Sequence, residues 1–255
     1  MTDLPRTPSF RLDGRRALVA GASSGIGLGC AVAMAEAGAH VVMAARGREK
    51  LSAAVGAVRQ AGFSAEALTL DVADLAGMRA AVREAGPFDV MVNSAGLARH
   101  APALDTAEGD YDAVMDANLK GAYFLATEVA RGLVDAGKGG SIITVSSQMG
   151  HVGGIDRTVY CASKHAVEGM TKAMAIEWGR HKIRVNTICP TFIRTPLTQA
   201  TFDNPDRVAW ITEKIKLGRV GEVEDVMGAV VFLASDASAL ITGTSLLVDG
   251  GWTAG

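Results

Sequence analysis

The sequence R-A-L-V-A-G-A-S-S-G-I-G at residues 16–27 joins a short apolar run to a glycine-rich turn, and a helical run follows through Ala35. Glycines at a strand-to-helix turn let phosphate groups approach the backbone, and the start of a helix favours negative charge. The stretch differs from the usual G-x-G-x-x-G and lacks the Gly-Lys-Ser/Thr ending of a P-loop, so a tight turn without a ligand stays open as the alternative. We assign phosphate binding to the residues of this turn, which are Gly21, Ser23, Ser24, Gly25, Ile26 and Gly27.

The same turn also matches G-x-S-x-G, the nucleophile elbow of serine hydrolases, with Ser23 in the nucleophile position. In that fold the oxyanion-hole loop after the third strand precedes the nucleophile. Only 22 residues precede Ser23. The position of the motif therefore excludes a hydrolase.

Short apolar runs alternate with helix-length segments along the rest of the chain. The predicted strands are residues 16–20, 40–44, 67–70, 88–93, 141–146, 183–188 and 246–249. The predicted helices include residues 47–60, 75–85, 110–135, 162–181 and 223–235. Most of the strands are continuously apolar, which is typical of strands buried on both faces of a parallel sheet. The alternation predicts an α/β fold of Rossmann type, a doubly wound parallel sheet in a single domain over residues 1–255.

Composition and charge exclude several classes of protein. The 255 residues are 49% hydrophobic and 20% charged, with a formal net charge of −2. The chain is too apolar for a disordered protein and lacks the basic excess of a nucleic-acid binder. Its three widely spaced cysteines exclude a disulfide framework and a zinc site. No signal peptide is recognisable, and the uncharged run 17–35 is too rich in glycine and serine to span a membrane, so we expect a cytoplasmic protein without a metal.

The sequence Y-C-A-S-K at residues 160–164 places a phenol and an ammonium four residues apart. On a helix, Tyr160 and Lys164 would lie on one face and reach the same point. A nearby ammonium stabilises a phenolate and lowers its pKa from about 10, which makes proton transfer to a substrate oxygen feasible. The pair alone is a weak motif, because a surface tyrosine beside a surface lysine gives the same pattern.

Four groups of residues together resemble a classical short-chain dehydrogenase/reductase. They are the glycine turn, Asn93-Ser94-Ala95-Gly96 after the fourth strand, Asn118, and Ser147 with Tyr160 and Lys164. The resemblance extends from Leu12 to the closing Asp249-Gly250-Gly251. Of two adjacent serines, Ser147 is the match because it lies thirteen residues before Tyr160.

The resemblance implies a catalytic role for each of four residues. Tyr160 is the general acid/base, and Lys164 lowers its pKa and hydrogen-bonds the nicotinamide ribose. Ser147 holds the substrate oxygen. Asn118 anchors a water that continues the proton path through Lys164.

The resemblance also implies the contacts of a nicotinamide dinucleotide. Asp71 and Val72 contact the adenine, Asn93 lies beside the adenosine ribose, and Ile193 and Thr195 bind the carboxamide. The sequence departs from the family pattern at Ala20, where threonine is frequent, and at Thr191, where glycine is usual. The second departure lies at the start of residues 191–217, which break the strand–helix rhythm and are expected to form a substrate lid.

The end of the second predicted strand predicts which nicotinamide cofactor is preferred. An NAD-selective enzyme usually places an acidic residue there to bind the ribose hydroxyls. Here the segment ends in Arg46, which is suited to pair with a 2′-phosphate. We therefore expect NADP(H) to be preferred, with NAD(H) possible.

The expected activity is hydride transfer between NAD(P)(H) and a secondary alcohol or ketone of a small molecule. The alternative is a dinucleotide-binding sensor or scaffold without catalysis. The family resemblance further implies a homotetramer assembled through residues 110–135 and 162–181.

The substrate class stays open between two candidates. Gln148, His151, Asp156, Arg157, Arg99 and His100 are the polar residues that would suit a sugar, polyol or hydroxy acid. Phe192, Phe202, Trp210 and Met149 would instead suit the acyl chain of a 3-oxoacyl thioester.

Overall fold

A computed structural model describes residues 3–255, in which the short apolar runs form seven strands. They are β1 (Arg16–Ala20), β2 (His40–Ala45), β3 (Ala65–Thr69), β4 (Val90–Asn93), β5 (Gly140–Val145), β6 (Ile183–Pro190) and β7 (Ser245–Val248). Every neighbouring pair is parallel, and the order across the sheet is β3-β2-β1-β4-β5-β6-β7. The winding direction reverses between β1 and β4, and a sheet of this kind opens a crevice at the carboxyl ends of those strands.

Helices cover both faces of the sheet. They are α1 (Gly25–Glu36), α2 (Arg48–Gln60), α3 (Leu75–Ala85), α4 (Glu108–Met115), α5 (Ala122–Asp135), α6 (Thr158–Trp178), α7 (Gln199–Phe202), α8 (Pro205–Lys214) and α9 (Glu224–Ala234). A π-helical turn, Asp116–Gly121, connects α4 to α5. The predicted α/β fold of Rossmann type is confirmed.

The continuous apolar strands are explained by two separate cores. Val19 and Ile143 point to the face that packs against α1, α2 and α9. Leu18 and Ile142, their chain neighbours, point to the face that packs against α3, α5 and α6. Because successive strand residues alternate between faces and both faces are buried, no polar alternation remains in the central strands.

Close packing of backbone holds the first turn in place. A Cβ atom on Gly27 would lie 2.2 Å from the carbonyl oxygen of Gly21, so only glycine lets α1 begin this close to the end of β1. Gly21 has a φ of +80°, and a Cβ atom there would lie 2.8 Å from the backbone nitrogen of Ala95. The turn therefore packs directly on the loop that follows β4.

Strands β3 and β4 begin two residues from their predicted starts, β6 ends two residues beyond its predicted end, and the bounds of β2, β5 and β7 differ by one residue. Strand β3 spans Ala65–Thr69 instead of 67–70, and it lies at the edge of the sheet, where only its first residue, Ala65, is buried. The start of this strand does not belong to a continuous apolar run, because it contains the polar Glu66, which pairs with Arg16. Strand β4 begins at Val90 instead of 88, because Phe88 is buried but contributes to the core before strand pairing starts.

Three of the differences between the predicted and the observed helices affect the cleft side of the sheet. The segment predicted as one helix over 110–135 consists of α4, the π-helical turn and α5. Helix α6 begins at Thr158 instead of 162, which places Tyr160 in its first turn. Residues 191–217 contain α7 and α8, which pack around Ile211 and Ile215 as a small third cluster.

No helix among residues 3–255 is long and apolar enough to cross a membrane. The cytoplasmic location and the lid function of residues 191–217 stay predictions.

Candidate active site

A cleft of about 850 Å³ opens at the carboxyl ends of the strands. Most of the residues predicted from the sequence line it: Gly21, Ser23, Ser24, Gly25, Ile26, Gly27, Arg46, Asp71, Val72, Asn118, Ser147, Tyr160, Lys164 and Thr195. They come from segments far apart in the chain. The fold therefore brings the predicted catalytic residues and nearly all of the predicted cofactor contacts into one cavity.

Asn93 and Ile193 lie behind the wall of the cleft. The side-chain oxygen of Asn93 accepts a hydrogen bond from the Ala95 N–H at 3.1 Å, while its buried Nδ2 has no partner within residues 3–255. The side chain of Ile193 is 2% exposed and belongs to the core, and its carbonyl accepts a bond from the Thr198 hydroxyl at 2.6 Å. Any contact of Ile193 with a ligand would have to use its backbone.

The start of α1 is suited to an anion. Ser24, the residue that precedes the helix, makes no side-chain capping bond, and the first turn contains no acidic residue. The first N–H groups of a helix lack partners inside the helix, so they are available to an anionic group in the cleft. The glycine turn holds these N–H groups at the cleft wall, and the site fits the diphosphate of a dinucleotide.

Two cations line the end of the cleft beside β2. Arg46 is 73% exposed, and its Nη1 lies 3.9 Å from Oδ2 of Asp71. Lys50, one turn into α2, lines the same region and was missed in the sequence analysis. Its position four residues after Arg46 was the available signal.

Lys164 is buried in the cleft wall on α6. Its Nζ donates a hydrogen bond to the carbonyl oxygen of Val145 at 3.0 Å and lies 5.6 Å from the centre of the Tyr160 ring. Burial lowers the pKa of Lys164 to about 8. The bond to Val145 ties α6 to the end of β5, so the four-residue spacing places both side chains at one point of the cleft.

Tyr160 is a phenol that keeps its proton at neutral pH. Burial raises the pKa of Tyr160, although the hydrogen bond with Ser147 and the charge of Arg157 act in the opposite direction. The pKa of Tyr160 is thus raised, whereas the family resemblance implies that Lys164 lowers it. Desolvation of the phenolate outweighs the effect of the neighbouring charges. Ser147 Oγ also accepts a bond from the Met149 N–H at 3.1 Å, which fixes the position of its hydroxyl.

Asn118 is held in the π-helical turn and connects two walls of the cleft. Its Oδ1 accepts a bond from the Leu97 N–H at 2.8 Å, and its Nδ2 donates to the Leu97 carbonyl at 2.9 Å and to Ser163 Oγ at 3.2 Å. The π turn widens the helix locally and presents this carboxamide to the loop after β4. Asn118 therefore positions that loop against α6, and the water that the resemblance implies stays a prediction.

Only some of the residues proposed for substrate contact line the cleft. Gln148, His100 and Arg157 line the cleft, whereas His151, Asp156 and Arg99 do not. Phe192 and Met149 line it, whereas Phe202 and Trp210 lie outside it. Arg207, at the start of α8, lines the cleft and was missed, although Asn204, Pro205 and Asp206 form a helix-start signal just before it.

A buried carboxylate lies behind the serine loop. Ligand atoms of His151, Glu168 and Cys189 lie within 4.8 Å of one another. The Glu168 carboxylate accepts bonds from Thr187 Oγ1 at 2.9 Å, from Cys189 Sγ at 3.3 Å and from Ser245. Burial raises the pKa of Cys189 to about 12, so the group is a thiol, which donates its hydrogen bond to Glu168. The arrangement is a hydrogen-bonded network that satisfies a buried acid.

Comparison with known proteins places the chain among oxidoreductases. A family model described as enoyl-(acyl carrier protein) reductase matches residues 21–253. The chain is 40% identical to L-xylulose reductase of Bos taurus, over 96% of this chain and 99% of the relative. It is 42% identical to D-threitol dehydrogenase of Mycolicibacterium smegmatis, over 96% of this chain and 95% of the relative.

A solved structure matches both the fold and the sequence. It is a gluconate 5-dehydrogenase from Burkholderia cenocepacia in complex with NADP and tartrate, with a TM-score of 0.93 and 39% identity. The match covers 96% of this chain and 98% of the solved chain.

Replacing Tyr160 by Phe tests whether the phenol transfers the proton. The variant loses only the hydroxyl, so turnover of a ketone with NADPH should fall about 100-fold or more, as expected when general acid catalysis is lost. NADPH binding, measured by fluorescence titration, should be kept. Tyr111→Phe, which removes the hydroxyl of an exposed tyrosine on α4, is the matched control. Normal turnover by the Tyr160 variant would contradict the assignment.

Proposed function

Because the chain belongs to the classical short-chain dehydrogenase/reductase family and is an NAD(P)(H)-dependent oxidoreductase that interconverts a secondary alcohol and a ketone, we propose that it acts on sugars, polyols or sugar acids with NADP(H) as the preferred cofactor. The proposal assigns the substrate to the part of the cleft between Gln148 and Tyr160. It assigns the cofactor to the part between the glycine turn and Lys164.

The residues that would hold the dinucleotide are those of the glycine turn, Arg46, Asp71, Val72, Asn93 and Thr195, with the backbone of Ile193. The bound nicotinamide supplies the hydride for reduction and accepts it in oxidation. The open N–H groups of α1 support this assignment.

The chain's own residues move the proton. In reduction, Tyr160 donates its proton to the ketone oxygen as that oxygen gains negative charge, and in oxidation it takes a proton from the alcohol. Ser147 donates a hydrogen bond to the same oxygen and holds it beside Tyr160. The Lys164 ammonium lies near the phenol ring and stabilises the phenolate once it forms. Because burial keeps Tyr160 protonated at neutral pH, the site is prepared for reduction there.

The observation that carries the substrate class is the side chain of Gln148. It is 1% exposed, follows Ser147 directly and lines the cleft. Neither its Oε1 nor its Nε2 has a hydrogen-bond partner within residues 3–255. A buried carboxamide without partners is costly, and once turned toward the cleft it would offer one acceptor and two donors to the hydroxyls of a bound sugar. The acyl chain of a thioester would leave these groups unsatisfied.

A substrate panel tests this proposal. Oxidation of NADPH is measured with ketoses, keto acids of sugars and an acetoacetyl thioester, and reduction of NADP⁺ with the corresponding alcohols. We expect activity on hydroxylated substrates, and Gln148→Leu should lower their kcat/KM about tenfold, because at least one hydrogen bond to the amide is lost. Activity on the thioester alone, unchanged in Gln148→Leu, would contradict the sugar assignment. NADPH binding without turnover of any compound would favour a sensor or scaffold.

Arg46 supports the choice of NADP(H). Its guanidinium reaches no closer than 3.9 Å to Asp71, so it keeps donors for an added phosphate. Asp71 itself accepts a bond from the Ala73 N–H at 3.0 Å, which occupies one of its oxygens. Lys50 adds a second positive charge at the same end of the cleft.

Replacing Arg46 by Asp should reverse the cofactor preference. The change removes a charge-assisted bond to the 2′-phosphate and adds repulsion, so the Kd for NADPH should rise about tenfold or more while that for NADH stays similar. Fluorescence titration measures both. Arg48→Asp makes the same charge change two residues away and outside the cleft, so it serves as control. Tighter binding of NADH than NADPH by the wild type would overturn the assignment.

We also propose a homotetramer assembled through α5 and α6. Tyr123 and Val134 on α5 and Ile176 on α6 are exposed, with Ile176 at 84%. Val134 and Ile176 line one groove, which supports an apolar contact with another chain there. Multi-angle light scattering at micromolar concentration should give the mass of four chains. A monomer in that measurement would contradict the proposal.

A further inference from the structure

We propose that the substrate is a sugar acid and that Arg157 binds its carboxylate in the cleft beside Tyr160. The inference rests on the proposed function, which leaves neutral sugars and sugar acids as alternatives. It assigns Arg157 as a specificity-determining residue of the substrate site.

The Arg157 guanidinium contacts only neutral groups of the protein, while the charges of Arg207 and Asp156 act on it from a greater distance. One of its terminal nitrogens, Nη1, contacts the ring of His100, and its Cζ lies 5.3 Å from the centre of the Phe192 ring. The side chain is half-buried and lines the cleft. Within residues 3–255 no carboxylate lies within 4 Å of it, and the neighbouring Asp156 is no exception.

Arg184 is a comparable arginine with a structural role. It also is half-buried and has no acidic partner. Its two terminal nitrogens instead donate to the carbonyl oxygens of Leu233 and Ser235, at 2.8 and 3.2 Å, and to the Ser238 hydroxyl at 2.9 Å. Those bonds cap the end of α9. The Nε and Nη2 groups of Arg157 have no such acceptors in the described chain, so they are free for a ligand in the cleft.

His100 holds the Arg157 guanidinium in place without adding a charge of its own. Desolvation, followed by the charges of Arg157 and Arg207, lowers the pKa of His100 to about 4. The ring is therefore neutral at pH 7, and its nitrogen accepts a bond from Arg157. That bond fixes the guanidinium against the wall with its remaining donors available. Arg207, on α8, adds a second cation that lines the same region.

Arg157 lies far from the cations that are expected to bind the 2′-phosphate of the cofactor. It lies three residues before Tyr160, on the same face at the start of α6, and therefore beside the group that transfers the proton. The cations expected to bind the 2′-phosphate, Arg46 and Lys50, follow β2, whereas Arg157 follows β5. Three strand spacings separate β2 from β5 in the sheet, on the order of 14 Å. An anion at Arg157 is therefore distinct from the 2′-phosphate, and we assign it to the substrate, close to the reacting carbon.

A guanidinium binds a carboxylate through two parallel hydrogen bonds, and it gains far less from a neutral hydroxyl. Arg157 would thus favour a sugar acid over the alcohol that differs from it only at the terminal carbon. Gln148, on the other side of Ser147, would bind hydroxyls of either compound. The two residues divide recognition into a part shared by all sugars and a part specific for the acid.

Matched pairs of acid and alcohol test the assignment by binding. The enzyme saturated with NADPH is titrated calorimetrically with D-gluconate and D-glucitol, D-xylonate and xylitol, and L-threonate and L-threitol. NADPH and an alcohol do not react, so the titration reports affinity alone. In at least one pair we expect the acid to bind about tenfold to a hundredfold more tightly, the effect of a hydrogen bond to a charged group.

Arg157→Gln should abolish that preference by weakening the acid and leaving the alcohol unchanged, while Arg157→Lys should keep part of it. Arg99→Gln is the control, because Arg99 lies outside the cleft and pairs with Asp110 at 3.7 Å. Equal binding of acid and alcohol in every pair, or equal weakening of both by Arg157→Gln, would overturn the inference and leave the proposed function intact. Tighter binding of D-glucitol 6-phosphate than of D-gluconate would also overturn it. If no member of any pair binds, the proposed function itself fails.

Discussion

All seven strands of the sheet run in the same direction, and this one constraint determines where the chemistry lies. A parallel strand must be reached by a crossover on one face or the other, so every strand ends at the same edge. The glycine turn after β1, the Arg46 segment after β2, the Asn93 loop after β4 and the serine loop after β5 consequently border one cleft. The close contact between Gly27 and the Gly21 carbonyl then fixes the start of α1 at that edge, since a single added carbon would prevent it.

Sequence was sufficient for most of this arrangement, because buried parallel strands and glycine turns have strong local signals. The central strands were found by their continuous apolar runs, and Tyr160 and Lys164 by their spacing together with the family resemblance. The edge strand β3 was misplaced because the polar Glu66 breaks the apolar run near its start. The π-helical turn around Asn118 could not be predicted, because its residues have ordinary helical composition. Only the folded chain shows the turn and the hydrogen bonds between the Asn118 side chain and the Leu97 backbone.

The substrate site was the least predictable part, because its character depends on missing partners rather than on residue type. Sequence offered six polar and four apolar candidates, and the fold brings only some of each to the cleft. What distinguishes Gln148 and Arg157 from the others is that their polar groups stay unsatisfied or face neutral groups. Arg99 and His151 are also polar residues that could bind a sugar. Arg99 pairs with Asp110, however, and His151 lies near Glu168. Hydrogen-bond satisfaction is a property of the folded chain, and no spacing in the sequence encodes it.

In the proposed function, one cleft brings a reduced nicotinamide and a ketone together for direct hydride transfer. The hydride can be followed by incubating the enzyme with NADPH carrying two deuterium atoms at C4 and a mixture of sugar ketones and their acids, with mass spectrometry of the products. We expect one deuterium bound to the former carbonyl carbon of a sugar product, retained in ordinary water. NADPH that binds without delivering deuterium to any carbonyl compound would contradict it.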